Sequence, residues 1–310
     1  MKRSGFAWFV ALGVSGTLLA QAPPVAQAET GAARPLWTVE TALASPYSAY
    51  YHQRSNSIFV SNINGGRFDK DGNGYLTRIA PNGKVLAEKW ATGLNAPKGI
   101  RSVGNTIWVA DIDELVGFEL TADGARLRSR IRIDGAGAFN DLAVTADGTI
   151  FVSEAWRDPA SPDRPSRIYM ITDGHASVFI EGADAGLVPI GLLVDGGRLI
   201  VGTGRQLLAF DLKTKVRAIV ATSNAVSEMS GIEPAEPGAY FVSDLLSRKL
   251  FHVARDGTVT TLVTFDHGGA DIGVRPMVEQ LVQAGTVFVP FLEQHSVSAY
   301  DLYPLIRAVR

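Results

Sequence analysis

The stretch FDKDGNGYLTRI, residues 68–79, sets Asp69, Asp71 and Asn73 at alternate positions with Gly74 next, the spacing with which oxygen ligands open a calcium loop. A helix-flanked loop of that type needs a bidentate Glu at its twelfth position, where this chain has Ala80. A β-hairpin calcium loop wants Asp at the ninth, which is Thr77. Two readings stay open: a divalent-cation (calcium) site on Asp69, Asp71 and Asn73, or a solvated Asp/Asn/Gly turn. His267 and His295 with Asp271 likewise fit either a metal or acid–base cluster or two surface histidines. No Gly-x-Ser-x-Gly, metalloprotease His pair or phosphate-binding glycine loop occurs. Catalysis would therefore rest on Asp141, Asp271, Glu154 and Lys98, and on whatever brings them together.

What must position them is a repeat. NSIFVSNI (56–63), NTIWVADI (105–112), GTIFVSEA (148–155), GRLIVGTG (197–204), GAYFVSDL (238–245) and GTVFVPFL (285–292) are short β-branched and aromatic runs that follow turn residues. A short apolar segment lies upstream of each, starting at Tyr47, Lys98, Asn140, Ile190, Ser230 and Ala270, at intervals of 40 to 51 residues. A third strand follows each run, often ending in Asn-Gly or Asp-Gly, and a fourth follows in five units. The sixth unit lacks its fourth strand, whereas PLWTVETAL (35–43) precedes the first unit as a spare. The pattern predicts an all-β, six-bladed β-propeller with four antiparallel strands per blade, closed by the N-terminal strand in the last blade. The Gly-His and Trp-Asp signatures of the seven-bladed repeat are missing from the required places.

In that topology the first-strand starts and the second-strand ends gather at one mouth of the central channel. Tyr47, Lys98, Asn140, Asp141, Ile190, Ser230 and Asp271 are expected to line one pocket there, for a small polar molecule or a protein. Asn62, Asp111, Glu154, Thr203, Asp244 and Pro290 either add to that mouth or bond backbone at blade junctions. Residues 156–167, with Trp156, Arg157 and Arg164, read as a lid or as a stiff Pro-rich surface loop.

The blade pattern of FNDLAVTADGTIFVSEA (139–155) and PIGLLVDGGRLIVGTG (189–204) resembles the senescence-marker-protein/gluconolactonase-like propellers over nearly all of the chain after its first residues. The resemblance implies a metal held by Glu, Asn and Asp at first-strand starts, polarising a lactone carbonyl or activating water. The matching positions here are Tyr47 in SPYSA, Ile190 in PIGL and Ser230 in MSGI, and only Asn140 and Asp141 of the family's substrate-side pair remain. Tyr, Ile and Ser do not supply the carboxylate and amide oxygens that a hard cation prefers. The resemblance therefore carries the fold further than the chemistry. Three readings follow: a binding propeller, a hydrolase or isomerase on other mouth residues, and a divalent-metal-dependent sugar-lactone hydrolase with a rearranged ligand set.

The chain opens with two cations, an apolar run from Phe6 to Ala20 and small residues ending Ala26-Gln27-Ala28, the form of a secretory signal peptide cleaved after Ala28. Residues 29–34 then read as a linker and 35–310 as a single propeller domain. Losing the leader takes two cations and no acid, moving the formal charge from −2 to −4 and giving no electrostatic case for nucleic acid. With no other apolar run of bilayer length and no cysteine, the expectation is a periplasmic protein without a membrane span.

Overall fold

The computed structural model describes residues 33–155, 165–182, 188–276 and 284–307. A short strand β1 (Trp37–Val39) precedes six four-stranded antiparallel sheets. Blade one comprises β2 (Pro46–His52), β3 (Ser57–Asn62), β4 (Gly74–Ile79) and β5 (Val85–Leu94). Blade two is β6 (Pro97–Val103), β7 (Thr106–Asp111), β8 (Glu114–Thr121) and β9 (Gly124–Arg132). Blade three is β10 (Phe139–Val144), β11 (Ile150–Glu154), β12 (Arg167–Thr172) and β13 (His175–Glu181). Blade four is β14 (Leu192–Asp195), β15 (Arg198–Gly202), β16 (Gln206–Asp211) and β17 (Arg217–Thr222). Blade five is β18 (Met229–Pro234), β19 (Tyr240–Asp244), β20 (Lys249–Val253) and β21 (Val259–Thr264). Blade six holds β22 (Gly273–Pro276), β23 (Ala284–Phe291), β24 (Ser296–Asp301) and, as its outer strand, β1. A helix α1 (Leu302–Arg307), absent from the sequence expectation, buries Leu302, Leu305 and Ile306 against blades five and six.

Hydrophobic alternation makes each sheet two-sided, and adjacent blades bury the facing sides against one another. Phe59 and Leu76 of blade one pack with Ile100, Ile107 and Val116 of blade two, and comparable clusters fill the other junctions. The spare N-terminal strand closes the ring, with Trp37 opposite Ala299 and Val39 opposite Val297. Only three residues of the 35–43 segment form the strand, because Ala42 takes a positive φ of 64° and turns the chain back to blade one. Trp37 stacks on Phe288 at 5.8 Å and its indole N–H donates to Pro81 O at 2.9 Å, so the closure also ties blade six to blade one.

Two recurring devices shape the inner strands. A register shift breaks the pairing of first with second strand between Pro46 and Ala49, Pro97 and Ile100, Phe139 and Leu142, and Met229 and Gly231. Such a bulge re-aims consecutive side chains, so that Tyr47 reaches Asn140 while its neighbour Ser48 reaches Asp271. A second-strand serine then fills each irregularity in three blades: Ser61, Ser153 and Ser243 accept from the N–H of Ser48, Asp141 and Gly231. Ser153 and Ser243 also donate to Ile190 O and Ala270 O of the next blade, at 2.7 and 2.6 Å. Backbones approach closely at the axis, where a Cβ on Gly99 would stand 2.5 Å from Asp141 Oδ1.

Removing the segment through Leu43 leaves the β24 edge unpaired and strips the Trp37 contacts. The truncated protein is expected to melt about 5 °C lower or more and to aggregate, as read by thermal unfolding and size-exclusion chromatography.

Candidate functional site at the channel mouth

The expected mouth residues separate into two layers. Register aligns Tyr47, Lys98, Asn140, Ile190, Ser230 and Ala270 as one ring, with Ser48, Gly99, Asp141, Gly191, Gly231 and Asp271 one residue further along. Asp271 thus belongs with Asp141 in the inner layer, both fully buried, and Ala270 is the blade-six member of the outer ring.

In the outer ring Tyr47 Oη donates to Asn140 Oδ1 at 3.0 Å, a bond between blades one and three. Burial pushes the Tyr47 phenol well above its ordinary range, with Glu228 and Asp271 adding to the effect. Lys98, 3% exposed, donates to Phe139 O at 3.2 Å and lies 4.6 Å from the centre of the Phe68 ring. Burial, helped by nearby Arg67, lowers its ammonium to about 8. Ile190 and Ser230 are buried, the Ser230 hydroxyl directed at Glu228 O at 3.5 Å.

Phe68 comes from the loop that joins β3 to β4, the same loop that carries the calcium-like spacing. Lys70 pairs with Asp113 at 2.6 Å and Gly72 N–H donates to Asn95 Oδ1 at 3.2 Å, so the loop leans across blade two. That anchoring sets the Phe68 ring, itself 58% exposed, above the Lys98 ammonium. Within the loop the Asn73 amide donates to Asp71 Oδ2 at 2.6 Å, and Asp69 N–H donates to Gly66 O. Among the described residues no group of three or more His, Cys, Asp or Glu is placed to hold a metal ion.

Beneath the ring lies a cluster that sequence reasoning missed. Arg101, from the middle of β6, brings its guanidinium to 3.7 Å from Asp141 Oδ2, 3.6 Å from Asp271 Oδ2 and 3.4 Å from Glu233 Oε1. Asp141 accepts from the Leu142 and Leu192 N–H groups, and Asp271 from the Ser48 hydroxyl at 2.6 Å. Among the described residues Arg101 Nη2 and Asp271 Oδ1 have no hydrogen-bond partner. Burial raises all three carboxylates, Asp141 far above its usual range with Asp271 adding to the effect, and Glu233 to about 7. One guanidinium does not balance three carboxylates at this range, and their burial favours a shared proton within the cluster. Its signal in the sequence was a lone Arg at a first-strand position where the equivalent residues are Tyr50, Ala143, Leu193, Glu233 and Gly273.

Glu154 stands apart from both layers: its carboxylate accepts from Gly137 N–H at 2.9 Å and from Tyr169 Oη at 3.2 Å. Asn62, Asp111 and Asp244 likewise take backbone N–H groups of the loop leading into their own blade. His295 Nδ1 accepts from Ser45 N–H, and both His267 and His295 are exposed. Trp156, Arg157 and Arg164 lie outside the described residues.

No family model and no curated protein matches the sequence. Solved structures do match. A gluconolactonase from Xanthomonas campestris aligns at 16% identity and TM-score 0.59, over 86% of this chain and 88% of that one. A streptogramin B lyase aligns at 12% and 0.55, covering 85% and 96%, and a chain of a nidogen/laminin complex at 16% and 0.58, covering 76% and 88%. The chain has the gluconolactonase-like six-bladed propeller fold. At the places where the family resemblance implies metal ligands, this chain presents a phenol bonded to Asn140, an isoleucine and a serine hydroxyl, with the Lys98 ammonium in the same ring. That donor set does not fit a divalent cation.

Two measurements test these assignments. Calorimetry is expected to show no micromolar calcium binding, and a heat that Asp71→Ala abolishes would restore the calcium loop. Arg101→Met leaves three buried carboxylates without their cation and is expected to cost about 3–5 kcal/mol near pH 8. Folded-state pKa values raised above the unfolded ones mean that carboxylate stability is complete below the unfolded pKa and is lost as pH rises through about 7 for Glu233. Denaturant unfolding should therefore find a clearly smaller penalty for Arg101→Met at about pH 5.

Proposed function

We propose that the chain is an exported, periplasmic propeller that binds a small polar, sugar- or lactone-like molecule at the mouth formed by Tyr47, Lys98 and Asn140, without metal-dependent lactonase chemistry. The leader would be cleaved after Ala28 and 35–310 would act as one unit. Among the described residues no helix is long and apolar enough to cross a membrane. The observation that carries the proposal is the buried Lys98 ammonium, which among the described residues has one acceptor, Phe139 O, and an aromatic ring above it. The Asn140 amide accepts from Tyr47 while its own N–H protons have no acceptor among the described residues. A mouth with surplus donors suits a ligand rich in acceptors, such as a lactone carbonyl, a carboxylate or sugar hydroxyls, with Phe68 covering its apolar side.

Asp141 and Asp271 are sealed beneath this ring and serve the proposal as supports rather than as reacting groups. The likeness to a gluconolactonase keeps a second reading, a divalent-metal-dependent sugar-lactone hydrolase with a rearranged ligand set. A protein docking on the same face is the outcome expected if small molecules fail.

Titration calorimetry with gluconate and with glucono-lactone, beside a lactone-hydrolysis assay with chelator or added calcium, decides between them. Lys98→Ala or Asn140→Ala should weaken binding about tenfold or more while the melting temperature changes little. Wild-type affinity for gluconate should decline above about pH 8 as the Lys98 ammonium loses its proton. Stoichiometric metal with lactone turnover lost on Asp141→Ala would overturn the binding reading in favour of the hydrolase.

A further inference from the structure

The second strands carry a large apolar residue at one equivalent register position, opposite Tyr50, Arg101 and their first-strand counterparts: Phe59, Trp108, Phe151, Ile200, Phe241 and Phe288. Five of them are 2% exposed or less, and Trp108 alone is only half-buried. Its cross-strand partner in β8 is Gly117, which has no side chain to cover the indole, and a Cβ there would lie 3.1 Å from the ring. Blade three meets it with Ile150 and Ile171 below and with the small turns around Gly148 and Asp173-Gly174 at the rim. The result is a cleft of about 340 Å³ between blades two and three, on the face opposite the mouth. Its size falls at the small end of small-molecule sites, which run from roughly 300 to 1,000 Å³.

The walls combine an aromatic platform with polar groups. Ile150 and Ile171 form the apolar floor beside Trp108. The register of β8 with β9 slips between Gly117 and Phe118, so Arg128 is an extra residue next to Ser129 at the level of the indole. Arg128 is well exposed and only loosely paired with Glu119, at 3.5 Å. Neither the Trp108 indole N–H nor the Asp173 carboxylate has a hydrogen-bond partner among the described residues. A flat, apolar surface with a free N–H, a guanidinium and a carboxylate around it matches a pyranose, whose axial C–H face is apolar and whose rim is hydroxylated.

We propose that this cleft is a second binding site, for one pyranose unit of a saccharide, with Trp108 as its platform and Arg128 and Asp173 bonding its hydroxyl rim. The site is independent of the Lys98 mouth and of any chemistry there.

Saturation-transfer NMR and calorimetry with methyl β-D-glucopyranoside and D-glucuronate, and with open-chain sorbitol as control, test it on the full mature protein. Both pyranoses should bind saturably and shift the Trp108 indole resonance, with sorbitol inert. In the Lys98→Ala background, where binding at the mouth is disabled, Trp108→Ala should remove the remaining binding, and Trp108→Phe, which keeps an apolar wall should the alanine variant fold poorly, should weaken it about threefold to tenfold. Arg128→Ala, a surface change, should weaken glucuronate more than the neutral sugar, and with the mouth disabled by Lys98→Ala a saturable binding step and the indole shift should persist for both. Absence of saturable binding, equal binding of sorbitol, or binding that survives Trp108→Ala and disappears in Lys98→Ala would overturn the proposal.

Discussion

The guanidinium of Arg101 is the constraint around which the propeller's axis is organised. It stands between Asp141, Asp271 and Glu233 from blades three, six and five, and its own strand belongs to blade two. Desolvating four charged groups is expensive, and an ion cluster of this kind adds little net stability over a well-packed apolar core. What it does supply is direction: Asp141 and Asp271 from one layer and Glu233 from two residues further along must all come within reach of one guanidinium. The Tyr50 ring lies 5.8 Å from the same guanidinium and the Ser48 hydroxyl holds Asp271, so blade one joins the arrangement through neutral groups.

The polar second-strand ends show how a propeller spends side chains on its own backbone. In the Phe-Val-Ser-Glu, Phe-Val-Ser-Asp and Phe-Val-Ser-Asn runs the serine satisfies the N–H freed by the bulge. The acid or amide that follows satisfies the loop before it. Buried backbone groups that bulges and blade junctions leave unpaired would each cost about 1–3 kcal/mol, so a short polar side chain at that place is a structural requirement. The same composition read as a ring of catalytic carboxylates is therefore misleading in this fold. Glu154 illustrates it, since its acceptors are consumed by Gly137 and Tyr169.

The six-unit period, the strand count and the closure by Trp37–Val39 were legible because hydrophobic alternation and turn residues are local signals. The layer structure of the mouth was not. The bulge between Phe139 and Leu142 interrupts the two-residue alternation, so the layer to which Asn140 and Asp141 each belong does not follow from the period alone. The sequence pattern puts Asp271 with the outer ring because the blade-six start aligns equally well on Ala270 or one residue later, and a one-residue slip moves a side chain between layers. Arg101 was overlooked for the opposite reason: it sits inside an apolar-looking strand, and its partners come from segments 40, 132 and 170 positions away in sequence. Nothing short of the tertiary fold joins them.

The mouth and the axis are linked through the same adjacent residues. Tyr47 and Ser48, consecutive on one strand, bond Asn140 above and Asp271 below, while Asn140 and Asp141 do the same from blade three. Any shift of the Arg101 cluster that moves the blade-one or blade-three backbone must move the Tyr47–Asn140 bond as well. The donors proposed to meet a ligand are thus held by a buried charge balance rather than by the surface loop that covers them. The loop contributes Phe68, whose ring is placed by Lys70 on Asp113 and Gly72 on Asn95, two contacts that are exposed or partly so and hence weak individually. A rigid floor under a lightly tethered aromatic cover lets the cover adjust to a guest while the polar groups keep their geometry, the division of labour that a small polar ligand requires.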